Sequence, residues 1–398
     1  MSAVLSAVPS LPLETERRVL GPSARAARLS TSALRRLLSI RREDSVDLSV
    51  GEPRQGPSAE LLEAGFGAYL REPLGYTIGA GDPELREAVR AHHGFGHVTS
   101  VDQVVITVGA MEGLFAALGA VADPGDQVIV VEPNFWCFRR IAEILGIEVV
   151  AAPCSPDEGF DLDLNAIAGL IGPRTRAVVL SNPCNPTGRT FSREQVEGLV
   201  RVTEASGCWI VADEIYRELF YGRCPTSMGE LTDRAIVVGG LSKCCSLMGM
   251  RLGWVLSPRA LAQATNAIHT YTVMCASSVS QIVAREAFRD PRWLSYTRDE
   301  LSAKRLLLCR AIDEELGLPS TPSEGSLFVF LDVRGITSDS NALAEALARD
   351  AGVVTLPGIF FGQAGEGFLR LSFGATEEHI VEGVRRMRDF LPHFNGRA

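Results

Sequence analysis

Seven short runs of apolar, mostly β-branched residues recur through the middle of the chain, alternating with longer stretches of helical spacing, and this alternation narrows the fold more than any other property. The runs cover residues 104–108, 127–132, 148–152, 177–181, 209–212, 235–239 and 253–256. Helical patterns occupy 111–122, 138–145 and 193–204, with another at 261–270 after the last run. Strands that are apolar along their whole length need cover on both faces, and alternation with helices gives parallel order. An α/β fold with a large, mostly parallel sheet covered by helices on both faces is therefore predicted.

The pattern changes near Pro291. A charged helix over 293–315 leads to strands at 327–333, 353–355 and 368–373 and helices at 340–351 and 377–391. These read as a smaller α+β domain. Residues 24–40 read as one amphipathic helix, with Leu29, Leu34, Leu37 and Leu38 on one side, that joins the small domain. The expected division is residues 1–50 as an N-terminal arm and helix belonging to a discontinuous small domain, 51–290 as the large domain, and 291–398 as its C-terminal part. With 398 residues, 46% of them hydrophobic, the chain can fill both cores.

The formal charge of −9 argues against nucleic acid or an anionic membrane as a main partner. No apolar run reaches the eighteen residues that a membrane span needs. Nine scattered cysteines without a CxxC pair fit reduced thiols in the cytoplasm better than a disulfide framework or zinc site, and no metal is expected. Cys244 and Cys245 read as small apolar side chains beside a packed site.

Five segments carry chemistry. In GLSKCCSLMGMRLG (240–253), Lys243 sits among small and apolar residues, where a protonated amine is disfavoured. Only a neutral amine attacks an aldehyde, so such a lysine suits Schiff-base formation. Arg251, eight residues on, offers a fork to a phosphate. In SNPCNPTGR (181–189) two Asn-Pro steps and a Gly make a rigid turn at a strand's carboxyl end, leaving the Asn185 amide for a ligand. In VADEIYREL (211–219), Asp213 follows a buried run and needs either a cationic partner or an N-cap role, and Tyr216 lies three residues on. In ITVGAMEGL (106–114) a strand turns through Gly109 into a helix, presenting free N–H groups to an anion. In FLRLSFG (368–374), Arg370 lies inside an apolar strand and needs either an internal acid or a substrate carboxylate.

Together and in this order, these segments resemble the class I/II aminotransferases of fold type I, from about residue 30 to 390, with LSVGEP (48–53), GYTIGAG (75–81) and PGDQVIVVEPNF (124–135) adding to the likeness. The resemblance implies a pyridoxal-phosphate enzyme that moves an amino group from an L-α-amino acid to a 2-oxo acid. Lys243 would carry the cofactor and shuttle the substrate proton, Asp213 would hold the pyridine nitrogen, and Asn185 and Tyr216 would bond the ring oxygen. Phe135 would stack on the ring. Gly109, Ala110 and Met111, with Ser242 and Arg251, would hold the phosphate, and Tyr76 would reach the neighbouring subunit's phosphate in a homodimer. Arg370, with Gly51 and Asn185, would bind the substrate α-carboxylate. The same fold hosts C–S β-lyases and other carbanion chemistry, which remain the alternative. A DNA-binding relative would need a further domain ahead of residue 48, and about forty residues are too few for one with its linker. Apolar residues Phe135, Tyr271, Met274 and Phe360 hint at a neutral or aromatic substrate.

Overall fold

The computed structural model describes residues 21–29, 33–72 and 75–394. Among them are twelve strands: β1 (Val46–Asp47), β2 (Val104–Thr107), β3 (Gln127–Glu132), β4 (Glu148–Pro153), β5 (Thr175–Ser181), β6 (Trp209–Asp213), β7 (Ala235–Gly240), β8 (Gly253–Leu256), β9 (Phe328–Asp332), β10 (Val353–Val354), β11 (Leu356–Pro357) and β12 (Phe368–Ser372). Seven form one sheet in the order β2-β8-β7-β6-β5-β3-β4. Its pairs are parallel except those made by β8, which runs against both β2 and β7.

Alternation along each strand sends side chains into two different cores. Val128, Val130, Ala177, Val179 and Val211 enter one, while Ile129, Val131, Val178, Leu180 and Ile210 enter the other. Both faces are therefore dry, which is why these strands read as unbroken apolar runs. The helices between them carry their own stop signals. Arg193–Ser206 begins with a capping box of Ser192 and Gln195 and ends at Gly207, left-handed at φ +71°.

The C-terminal region builds an antiparallel sheet, β11-β12-β9, while β1 pairs in parallel with β10, so residues near 46 are stitched to residues near 353. The opening segment differs from the single helix expected over 24–40. It forms two helices, Ala24–Arg28 and Ala33–Ile40, and they dock in different places. Arg25 of the first donates to the Ile144 carbonyl oxygen (2.7 Å), beside the large sheet. Arg36 of the second pairs with Glu345 of the C-terminal region, and Leu37 is buried; the side chains of Leu34 and Leu38 lie outside the described residues.

The helix expected over 293–315 is also interrupted. Asp290 caps a short 3-10 turn, Pro291–Ser295, and the α-helix starts at Arg298, ending in a π turn at 312–316. Thr297, at the break, is fully buried and spends its hydroxyl on the carbonyl oxygens of Lys243 and Cys244 (both 3.0 Å). Its backbone N–H also donates to the Cys244 carbonyl oxygen (3.2 Å), so the ladder breaks in its hydrogen bonds while Tyr296 and Thr297 keep helical dihedrals.

One glycine fixes how the sheet meets the helix Gly109–Val121. A Cβ on Gly253 would lie 2.7 Å from both the Ala110 nitrogen and the Gly109 carbonyl carbon, and 2.8 Å from the Gly239 oxygen, all backbone atoms that cannot rotate away. Gly253→Ala should therefore lower the unfolding free energy by about 1–3 kcal/mol, read from the urea midpoint, and weaken anion binding at the adjoining loop. An unchanged midpoint would show that this junction tolerates a methyl group.

Candidate functional site

The carboxyl ends of the parallel strands converge on a cavity of about 730 Å³, open on one side. The cavity lies where the strand order turns back on itself, the usual ligand position in open α/β sheets. Ala110, Met111, Phe135, Asn185, Asp213, Tyr216, Ser242, Lys243, Arg251, Gly51 and Arg370 all line it.

Asp213 ends β6 with its carboxyl buried. Burial pushes that carboxyl up to about 7, against the lowering pull of the Ile215 N–H (3.1 Å to Oδ1) and of the Lys243 charge. Residues 215–218 form a turn rather than a helix, so Asp213 supports a turn and is no helix cap. Lys243 donates from Nζ to the Gly51 carbonyl oxygen (2.6 Å). Desolvation lowers this amine to about 8, although the nearby Glu52 charge pulls upward. Burial likewise raises the Tyr216 hydroxyl above its ordinary range.

Arg370, in the middle of β12, is 2% exposed. It meets no carboxylate within ion-pair distance among the described residues, which disfavours the internal salt bridge. Nη1 donates to Asn185 Oδ1 (2.9 Å) and Nη2 to the Ser49 carbonyl oxygen; Nε is buried without a partner. The guanidinium lies 4.0 Å from the Phe328 ring centre and 5.1 Å from that of Phe361. Burial lowers it to about 9. With the Asn185 oxygen taken by Arg370, the amide's NH₂ end is left to donate into the cavity.

The third corner is an anion cradle. Gly109 stands at φ +74°, and a Cβ there would sit 2.7 Å from Arg251 Nη2. The helix beginning at Gly109 has no side-chain cap, so its first N–H groups remain available. Glu112 braces this turn: Oε2 accepts from the Val108 N–H (3.1 Å) and contacts Nδ1 of the buried His269 (3.0 Å). Arg251 is a non-glycine residue in the left-handed region (φ +50°) and donates to the Met248 carbonyl oxygen (2.9 Å). It has no carboxylate partner among the described residues, and backbone strain of this kind clusters at ligand sites. Pyridoxal phosphate fits this donor set. The cradle suits its phosphate, buried Asp213 suits a protonated pyridine nitrogen, and the depressed Lys243 amine suits its aldehyde.

Tyr76 is 88% exposed, in the loop 75–81, outside this chain's own cavity. One expectation is corrected. Tyr271 and Met274 are also exposed at the surface, and Phe360 packs beside the core, so none of the three lines the cavity. The residues that sequence reading missed include Glu52, Trp136, Met248 and Phe328. Glu52 and Trp136 stand next to the singled-out Gly51 and Phe135, a usable signal; Phe328 comes from a distant strand and carries none.

The chain matches the family described as aminotransferase class I and II over residues 43–387. It is 35% identical over 357 residues to the valine–pyruvate aminotransferase of Mycobacterium tuberculosis, covering 88% of this chain and 92% of that one. It is 31% identical over 377 residues to a probable N-acetyl-LL-diaminopimelate aminotransferase of Bacillus subtilis, covering 94% and 96%. Among solved structures, the aspartate aminotransferase from Thermus thermophilus with maleate superposes with a TM-score of 0.87 at 30% identity, covering 93% of this chain and 99% of that one.

The unpaired Asp213 charge yields a test. A carboxyl raised by burial binds its proton more tightly folded than unfolded, so it costs stability as pH rises from about 4 through about 7. Asp213→Asn removes that cost while keeping the acceptor for Ile215. The cofactor-free variant should melt several degrees higher than the parent at pH 8, with the gain shrinking toward pH 4. A variant that melts lower at pH 8 would contradict this account.

Proposed function

The chain belongs to the class I and II aminotransferases and is a pyridoxal-phosphate-dependent transaminase, and from that premise we propose the residue roles that follow. The observation that supports them best is the meeting, in one cavity, of a neutral-leaning amine, a buried carboxyl and an acid-free buried guanidinium. When bound, pyridoxal phosphate supplies an aldehyde for amine exchange and a ring that draws electrons from the substrate α-carbon.

Gly109, Ala110 and Met111 hold the phosphate through backbone N–H groups, with Ser242 and Arg251. Asp213 would pair with a protonated pyridine nitrogen, which would lower the energy of its own buried charge. Asn185 and Tyr216 would donate to the ring oxygen, and Phe135 would face the ring. Arg370 binds the α-carboxylate, with Gly51 beside it. Lys243 Nζ would hold the cofactor and, as a free amine, would take and return the proton at the substrate α-carbon. An amine lowered to about 8 keeps a neutral fraction of roughly one-tenth to one-fifth near physiological pH, far more than an ordinary lysine, and that form can accept the proton.

The chain is further divided, in this reading, into a large domain (51–290) and a discontinuous small one (1–50 with 291–398). The pairing of β1 with β10 supports the discontinuity. The active unit is a homodimer in which Tyr76 reaches the neighbouring subunit's phosphate. Support comes from Tyr76, Ile78, Tyr271 and Met274, large side chains exposed on two touching segments; a Cβ on Gly79 would overlap Thr270. Nine free cysteines support a cytoplasmic location, and no helix among the described residues is long and apolar enough to cross a membrane. The relatives' names carry valine, pyruvate and aspartate, consistent with amino-acid donors and 2-oxo-acid acceptors.

Absorbance of the purified holoenzyme during addition of amino acids tests the assignment. The cofactor's visible band should disappear without a 2-oxo acid and return when one is added; pyruvate and ammonia accumulating instead would mean a lyase. Borohydride should fix cofactor on the parent but not on Lys243→Ala. Capture of cofactor by the apoenzyme should accelerate as pH rises through about 8, the value to which burial brings Lys243. Arg370→Lys should raise the amino-acid KM by about 10–100-fold, because a point charge replaces a two-pronged donor, while the visible band stays. Loss of the band in that variant would make Arg370 structural.

A further inference from the structure

We propose that this site takes amino acids with a single carboxylate and a neutral apolar or aromatic side chain, that it disfavours a second carboxylate, and that Met111 is a determinant of that choice. The inference rests on the transaminase reading and on Arg370 as the α-carboxylate partner.

The charged side chains lining the cavity are Lys243, Arg251, Arg370, Asp213 and Glu52. Each cation already has work within the reading above: the amine exchange, the phosphate and the α-carboxylate. No lining cation among the described residues is left for a carboxylate at the far end of a substrate. The one charge without a task is the acid Glu52. It follows Gly51, whose carbonyl oxygen takes the Lys243 amine, and its charge is felt at that amine. A second substrate carboxylate would therefore find no cation to pair with, and the charge nearest it has its own sign, screened because Glu52 is exposed.

The remaining wall is apolar. Val50, Met111, Phe135, Trp136, Met248 and Phe328 face the cavity. Trp136 is held in place by Phe135 (5.0 Å between ring centres) and Phe361 (5.5 Å). Met111 stands in the first turn of the helix beginning at Gly109 and keeps 39% of its surface exposed, an unusual fraction for a thioether beside a core. An apolar substrate side chain gains by covering Met111 and Trp136, whereas a carboxylate there loses its water and finds no donor. A cationic side chain could meet Glu52, but that acid is solvent-exposed, and an exposed ion pair returns little for the desolvation that the neighbouring apolar wall imposes.

Two measurements on the holoenzyme test the proposal. Calorimetric titration with 3-phenylpropanoate and 4-methylpentanoate should show binding at least about tenfold tighter than succinate or glutarate. In the half-reaction, followed by loss of the cofactor's visible band, leucine and phenylalanine should exceed aspartate, glutamate and lysine in kcat/KM by about 100-fold. Met111→Lys places a cation on the same wall and should narrow both gaps to the dicarboxylates by about tenfold or more. Succinate binding as tightly as the monocarboxylates, or aspartate, glutamate or lysine leading the series, would overturn the proposed class and leave the transaminase standing. A Met111→Lys variant with unchanged ratios would overturn the role of Met111. Conversion by no amino acid would remove the transaminase reading, and this inference with it.

Discussion

Two charged groups, Asp213 and Arg370, are buried in one cavity with no opposite charge in contact with either. Water would stabilise both, and the fold leaves each almost no surface on which to receive it. The result is visible as displacement toward neutrality: the carboxyl upward, the guanidinium downward, and the Lys243 amine downward between them, each mainly through desolvation. A cavity in this condition is prepared for a ligand that brings a cationic ring nitrogen to one end and a carboxylate to the other. The rest of the molecule can be understood as what holds these groups in place despite that cost. Two apolar cores clamp the sheet from both faces, and the aromatic rings of Phe328 and Phe361 enclose the arginine.

The topology explains how residues so far apart in sequence meet. Gly109, Asn185, Asp213 and Lys243 each lie at or just beyond the carboxyl end of one of four strands, β2, β5, β6 and β7, so one edge of the sheet supplies cradle, amide, carboxyl and amine. Arg370 and Phe328 come from the antiparallel sheet, and Gly51 from the segment after β1. The cavity thus has walls from separate parts of the fold. An amino acid bound between Arg370 and Lys243 would be gripped from two sides.

Much of this was legible in the amino-acid order. The seven large-sheet strands could be placed to within two residues because burial on both faces leaves an uninterrupted apolar run. Most site residues could be named because short motifs at strand ends are local objects. What escaped depended on distant contacts. Nothing near Thr297 announces that its hydroxyl is committed to the carbonyls of Lys243 and Cys244, so the helix there looked continuous. The opening helix also looked single, since amphipathic spacing does not reveal that its two halves dock on different surfaces. Trp136 and Glu52 passed unnoticed beside residues already singled out, and Phe328 had no local signal at all. Tyr76 is legible as a motif residue, and its side chain is 88% exposed.

Thr297 also has a mechanical consequence. It stands immediately ahead of the helix Arg298–Ala311, which packs against the C-terminal helix Glu377–Phe390, while its hydroxyl and backbone N–H are anchored to the main chain of Lys243 and Cys244. The helix is therefore a lever with its short end tied to the segment bearing the reactive amine. A tilt of the C-terminal region toward or away from the cavity would pull on the lysine's own backbone, so the posture of the outer region and the aim of Nζ could not vary independently.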